Sequence, residues 1–268
     1  MWKENINILI IEHIHILNLK KRDDGYMIDF HCHILPNLDD GPKTIDESIL
    51  MCKYAYCQGI RSIIATPHFL LKDNKNNKEQ VLKSVKDLQV NLDEHNIKIQ
   101  IYPAQEIRLV PSLLEEIERD NIIFLGNSDR KEILIELSNI SISYYSFELL
   151  DALIKLGICP IIAHPERNRA IQKNLEILEK IICLGCKTQI TAGSFTGYYG
   201  SLSQRVSIEI LKRKMIDYIG SDAHNVSKRN FYMLQSKKFI SNIDGNVWRY
   251  CQNNVSKLLK YKYREDST

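Results

Sequence analysis

Five of the chain's eight histidines, His31, His33, His68, His164 and His224, fall at or just past the end of a short apolar run. Glu106, Glu136, Asp40 and Asp222 occupy equivalent places. Imidazole mixed with carboxylate, and without thiolate, is the donor set that suits Mn, Fe or Zn in a hydrolytic site. Residues two apart on a strand share a face, so His31 with His33, and Asp222 with His224, can each grip one centre. Glu136 stands among Leu134, Ile135 and Leu137. A carboxylate buried there without a partner would cost several kcal/mol, so it needs a cation or a full set of hydrogen bonds. One His-x-His, or one aspartate after a strand, is ordinarily structural. Recurrence at successive strand ends is not, and so many donors exceed the needs of one ion. Two or three ions, and hydrolysis assisted by several metals, is the chemistry this set implies.

Arg167 lies three residues past His164 and Arg229 five past His224, so both follow candidate ligands on the same face. A guanidinium is a planar fork matched to phosphate oxygens, although solvated or structurally paired arginines are common. Cysteine chemistry has less support. Cys183-x-x-Cys186 is a lone pair at a helix end, read as helix packing, and no cysteine is followed six residues later by arginine. Neither a Gly-x-x-x-x-Gly-Lys-[Ser/Thr] loop nor a Gly-x-Gly-x-x-Gly after a strand is present. His13, His15 and His95 lie outside the pattern and read as surface or extension residues.

The elements that must position these side chains come at a regular beat from Met27 onward. Apolar runs at 27–31, 62–65, 97–102, 132–137, 158–163, 187–192 and 217–220 alternate with helical patterns. One helix opens on the capping box Thr44-x-x-Glu47 and stops at Gly59. Others are expected at 78–94, from Pro111, before Gly157, from Asn174 to Gly185, from Leu202, and over roughly 228–260. Several runs are apolar without alternation, as parallel strands covered on both faces are. Seven β-then-α units imply a parallel α/β sheet with right-handed crossovers, either closed into a barrel or open and doubly wound. In either case the carboxyl ends of the strands converge on one face, where sites are built.

A length of 268 residues fits one α/β barrel, and 44% hydrophobic with 26% charged residues is ordinary globular composition. A formal charge of +3 is too small to make nucleic acid the main partner. Seven cysteines, an odd number, disfavour a secreted disulfide framework and fit a reducing cytoplasm. The apolar stretch Ile6–Ile11 is interrupted by Glu12, His13 and His15. Residues 1–26 therefore read as an extension that is neither signal peptide nor membrane span, and 27–268 as the folded domain. The basic stretch Lys257–Arg264 reads as a solvated helix face.

The motifs carry a family likeness. Met27-Ile-Asp-Phe-His31-Cys-His33-Ile-Leu-Pro-Asn-Leu-Asp39-Asp40-Gly41 resembles the opening of the polymerase-and-histidinol-phosphatase (PHP) superfamily. More narrowly it is similar to the bacterial CpsB/CapC-type tyrosine-protein phosphatases. Thr66-Pro-His68, Ala104-Gln-Glu106-Ile, Ile135-Glu136, Ala163-His164-Pro-Glu-Arg167, Gln189-Ile-Thr-Ala-Gly193-Ser and Ser221-Asp222-Ala-His224-Asn225 recur in order. The resemblance implies a distorted (β/α)7 TIM-like barrel with a three-metal cluster, often manganese, with iron, zinc or cobalt as alternatives. It implies one metal on His31, His33, Glu106 and Asp222, a second on Glu106, Glu136 and His164, and a third on Asp40, His68 and His224. Arg167 and Arg229 match the family's phosphate-contacting arginines, and Asp40 stands on the catalytic side. The implied substrate is phosphotyrosine on a protein, usually a bacterial tyrosine kinase controlling capsule or exopolysaccharide synthesis, and a homo-oligomer is left open. The alternatives are a PHP phosphoesterase acting on a small substrate such as histidinol phosphate, and a non-catalytic kinase-binding regulator. An exonuclease is disfavoured by the near-neutral charge. Cys32 replaces the family's usual serine and is expected to point away from the metal.

Overall fold

The computed structural model describes residues 26–71, 74–125, 131–139 and 141–265, without side chains at 74, 75 and 260–265. The expected extension, apart from Tyr26, lies outside the described residues. The first apolar run forms β1 (Met27–Cys32), and α1 (Ile45–Cys57) follows. Half of the expected capping box forms: Thr44 Oγ1 accepts from Glu47 N at 3.3 Å, whereas Glu47 Oε2 accepts from Lys43 N at 2.7 Å instead of reaching back to Thr44. Next come β2 (Ile60–Ala65), β3 (His68–Leu71), β4 (Asn74–Lys75), α2 (Lys78–Glu94), β5 (Gln100–Pro103), β6 (Glu106–Arg108) and α3 (Leu113–Glu118). The chain continues through β7 (Lys131–Glu136), α4 (Tyr144–Lys155), β8 (Ile158–Ala163), a 3₁₀ turn (Pro165–Arg167), α5 (Arg169–Lys173) and α6 (Glu176–Cys183). The last elements are β9 (Lys187–Thr191), α7 (Ala192–Phe195), α8 (Ser201–Lys212), β10 (Tyr218–Gly220), α9 (Met233–Ile243) and α10 (Gly245–Glu265).

Parallel pairing runs β1–β2–β5 and then β3–β6–β7–β8–β9–β10, and β4 folds back antiparallel on β3. Two barrel strands are broken. The second passes from β2 to β3 through Thr66–Pro67, and the third from β5 to β6 through Ala104–Gln105. The ring closes where Asp222 N donates to His31 O (2.7 Å) and His33 N donates to Ala223 O (2.9 Å). The result is the distorted seven-strand barrel, and of the two topologies left open the closed one forms. At the third strand a neighbouring segment packs against the break. The segment before β7 pairs Leu125 antiparallel with Glu132, and Gln105 accepts from Ile123 N at 2.8 Å, so this segment wedges beside the break.

Two boundaries and one packing expectation differ from the sequence reading. The run at 97–102 starts its strand late, because Asn96 turns at φ 56° and Ile97 N closes the end of α2 on Leu92 O. The helix expected from Asn174 is preceded by a separate turn, α5, whose first amides bond Asn168 Oδ1. Of the cysteine pair, Cys186 is buried as expected, but Cys183 is exposed and does not pack.

Apolar side chains form two layers. Isoleucines and leucines on the outward strand faces meet the helices, with Ile63, Ile135, Ile162 and Ile190 fully buried. Inside the barrel, Phe30 stacks on Tyr218 (centroids 4.2 Å apart) among Ile64, Leu134 and Ile161. Val255, Leu258 and Leu259 of α10 close this floor. The Lys257–Arg264 stretch thus belongs to a helix whose other face is core, while Lys257 itself is exposed as expected. Gln252 fixes α10 to β1 by exchanging two hydrogen bonds with Ile28 (2.7 and 3.0 Å). Filling one end with hydrocarbon leaves the strands' carboxyl end for polar side chains.

Candidate metal centre

Every histidine and carboxylate singled out in the sequence lies at that carboxyl end. A register shift between Asp29 and Cys32 in β1 lets Phe30 fill the barrel while His31 and His33 reach the polar layer above it. Cys32 points the other way, its thiol facing Ala223 O at 3.5 Å. His164 (φ 35°) and Asp222 (φ 52°) sit in the left-handed region, which costs non-glycine residues about 1–3 kcal/mol and is held by surrounding structure.

Imidazole orientation is fixed from behind. His31 Nδ1 donates to Gln189 Oε1 (2.9 Å) and His33 Nδ1 to Asp39 Oδ2 (2.6 Å). Both Nε2 lone pairs then face the same space, only 3.1 Å apart. Glu106 Oε2 lies 3.5 and 3.3 Å from these nitrogens, and Asp222 Oδ1 lies 3.6 and 3.4 Å from them. Donors adjacent around one cation at ~2.1 Å stand about 3.0–3.4 Å apart, close to the spacings among His31, His33 and Asp222, which form one candidate set. Two lone pairs meeting with nothing between them would repel.

A second set joins His68, Glu106 and Glu136, and a third joins His33, Asp40, His68 and His224. His164 Nε2 reaches Glu106 Oε1 at 2.7 Å, and His224 Nε2 lies 3.0 Å from Asp40 Oδ1. Glu136 Oε2 is ion-paired with Arg108 at 3.0 Å, whereas His68 Nδ1 and Glu106 Oε2, 2.9 Å apart, and His224 Nε2 are buried close to other donors without an aligned hydrogen bond. Close donor pairs of this kind without hydrogen-bond alignment are what a cation between them would satisfy. The donor chemistry, the spacing and the unsatisfied atoms all fit bound metal.

Both arginines border this cluster. Arg167 pairs with Asp222, and Arg229 reaches Asp40 (3.0 Å) and both Asp222 oxygens (3.2 Å). Burial opposes ionisation of Asp222, yet the Arg167 charge and the nearby imidazoles hold it well below the usual carboxylate range. Glu106 is likewise held low against burial by His31 and His164. Burial and the neighbouring His33 push His224 down to about 4, so it is neutral and able to ligate at neutral pH. His95, outside the cluster, is exposed at the end of α2.

The sequence reading passed over Asp39, Gln189 and Asp29. Asp39 also accepts from Gly41 N (2.9 Å) and His68 N (3.0 Å). Asp29 is fully buried, and accepts from Ser221 N (2.7 Å) and Ser221 Oγ (2.6 Å), tying β1 to the Asp222 turn. Burial pushes its carboxyl up to about 6. All three stand inside the recurring motifs quoted from the sequence, and that placement was the signal available.

Residues 27–260 match the family described as capsular polysaccharide synthesis, CpsB/CapC. A CapC protein of Staphylococcus aureus is 37% identical over 209 residues, covering 78% of this chain and 81% of its own. The tyrosine-protein phosphatase YwqE of Bacillus subtilis is 36% identical over 233 residues, covering 87% and 91%. Crystal structures of YwqE and of CpsB from Streptococcus pneumoniae, described as unique metal-dependent tyrosine phosphatases, include a match with TM-score 0.82. That match is 36% identical and covers 88% of this chain and 95% of the other. A phosphotriesterase homology protein of Escherichia coli, 13% identical with TM-score 0.57, shares the fold alone. The fold and site are those of a metal-dependent barrel hydrolase. The chain belongs to the CpsB/CapC family.

Proposed function

We propose that this chain is a metal-dependent protein-tyrosine phosphatase. The observation that carries the reading is the convergence of five imidazoles and four carboxylates beside two arginines at one barrel mouth. Tyrosine-protein phosphatase is also what its relatives are called. In the proposed assignment His31, His33, Glu106 and Asp222 hold one ion, Glu106, Glu136 and His164 a second, and Asp40, His68 and His224 a third. Manganese is the ion we propose. Bound ions supply Lewis-acid charge and an acidified water at neutral pH.

The protein's own contribution is positioning and charge. Arg167 and Arg229 turn guanidinium forks toward the mouth, where side-chain exposures of 24% and 31% leave them able to meet phosphoryl oxygens. Their bonds to Asp222 and Asp40 hold them in place before substrate arrives, so little reorganisation accompanies the reaction. Asp40, 57% exposed, is the ligand candidate nearest solvent, and we assign it to the leaving-group side. The Cys32 thiol faces away from the cluster, and the proposed hydrolysis requires no covalent phosphoenzyme. Phenolate, with a pKa near ~10, leaves more readily than a serine alkoxide.

The proposed physiological substrate is a phosphorylated bacterial tyrosine kinase controlling capsule or exopolysaccharide synthesis, met in the cytoplasm. Among the described residues no helix is long and apolar enough to cross a membrane. Residues 27–268 are taken as the catalytic domain. The test is a substrate panel on manganese-loaded protein. A phosphotyrosine peptide should be hydrolysed with far higher kcat/KM than histidinol phosphate. The reverse order would favour a small-molecule phosphoesterase, and turnover of neither would favour a non-catalytic regulator.

A further inference from the structure

We infer that Tyr198, Tyr199 and Tyr232 form an aromatic wall beside the two arginines, which receives the ring of an aryl phosphate and sets a preference for aryl over alkyl phosphomonoesters. The inference rests on the reading above only in that a phosphoryl group occupies the space between the arginines.

The wall starts at the site itself. The guanidinium carbon of Arg167, whose fork pairs with Asp222, lies 4.5 Å from the centroid of the Tyr199 ring. Tyr199 meets Tyr198 edge-on at 5.2 Å, and Tyr198 lies 4.5 Å from Tyr232. The rings thus run from a metal-side arginine out to solvent, where Tyr198 is 42% exposed. The Tyr199 hydroxyl is buried beside the Arg229 guanidinium, so both arginines touch this ring.

The chain is shaped to hold these rings. A Cβ on Gly193 would fall 2.9 Å from Tyr199 and 3.2 Å from Tyr232, so the two side chains lean into room that only glycine leaves. Tyr232 itself adopts φ 49°, an uncommon conformation for an aromatic residue. Such strain concentrates at ligand sites.

With the phosphoryl oxygens on the Arg167 and Arg229 forks, an ester oxygen directed outward carries its substituent along these rings. A phenyl group gains offset or edge-on contacts with them. A serine or glycerol ester does not fill that surface.

The test is calorimetric titration of manganese-loaded protein with benzylphosphonate and ethylphosphonate, neither of which is hydrolysed. The wild type should bind the benzyl compound at least about tenfold more tightly, and Tyr198→Leu should lower that ratio about fivefold. Tyr198→Phe, which keeps the ring, should restore it. A wild type without preference, or an unchanged ratio in Tyr198→Leu, overturns the inference. Tyr198 is exposed, so its variants decide even if Tyr232→Leu fails to fold. Because the readout is binding, selective benzylphosphonate binding without phosphotyrosine turnover would keep the wall and remove the phosphatase reading.

Discussion

Asp39 Oδ2 lies 2.6 Å from His33 Nδ1, and that contact decides which nitrogen His33 turns toward the metal cluster. The same carboxylate accepts from His68 N at 3.0 Å, so one side chain outside the donor set orients two members of it. Partners of this kind typically alter metal affinity by about 10–100-fold. Asp39→Ala is therefore expected to weaken manganese binding by about that factor while the barrel stays folded. Metal titration followed by circular dichroism checks both parts, and unaltered affinity would show that His33 needs no such support.

His164 and Asp222 are buried at 6% and 1% exposure, and each occupies a left-handed backbone position. His164→Ala and Asp222→Ala should each lower phosphotyrosine turnover by orders of magnitude and retain the wild-type far-ultraviolet spectrum. Near-normal kcat in both variants would remove them from the centre.

Much of this centre was legible because strand ends in a parallel barrel share one face. A histidine or carboxylate after an apolar run therefore names its own location, as His68, His164 and His224 do. The less visible features depend on contacts between distant segments. The register shift in β1 that sends Phe30 to the barrel floor and His31 upward has no sequence marker, whereas prolines at 67 and 103 stand at or beside the two strand breaks. Asp29 reads as an ordinary strand residue until Ser221, 192 positions away, donates to it. Likewise the basic end of α10 hides that Val255, Leu258 and Leu259 plug the barrel, because basic and apolar residues alternate along one helix.

Gly220 is the point of closest backbone approach at the ring closure. A Cβ there would lie 2.4 Å from His31 Cβ and 2.7 Å from His31 N, and backbone cannot swing aside as a side-chain tip can. Gly220→Ala should destabilise the fold by about 1–3 kcal/mol, or about 2–4 °C of melting temperature for each kcal/mol. It should also weaken metal binding, because His31 must move. Differential scanning calorimetry reads the first effect, and an unchanged melting temperature would contradict the closure described.

Thiol chemistry should leave turnover untouched. Cys32, Cys52, Cys186 and Cys251 are buried, and burial pushes the Cys159 thiol up to about 11 and Cys186 up to about 12. Exposed Cys183 should alkylate first at neutral pH, with activity retained. Peptide mass mapping alongside the assay checks this, and inactivation in step with alkylation would point to a cysteine nucleophile.

The proposed sharing of a cation by His31, His33, Glu106 and Asp222 is tested most directly by phosphotyrosine-peptide hydrolysis before and after exhaustive chelation. Activity should vanish in the chelated, still-folded protein and return when manganese is added. Hydrolysis that persists at its original rate in protein shown by elemental analysis to be free of metal would contradict the account.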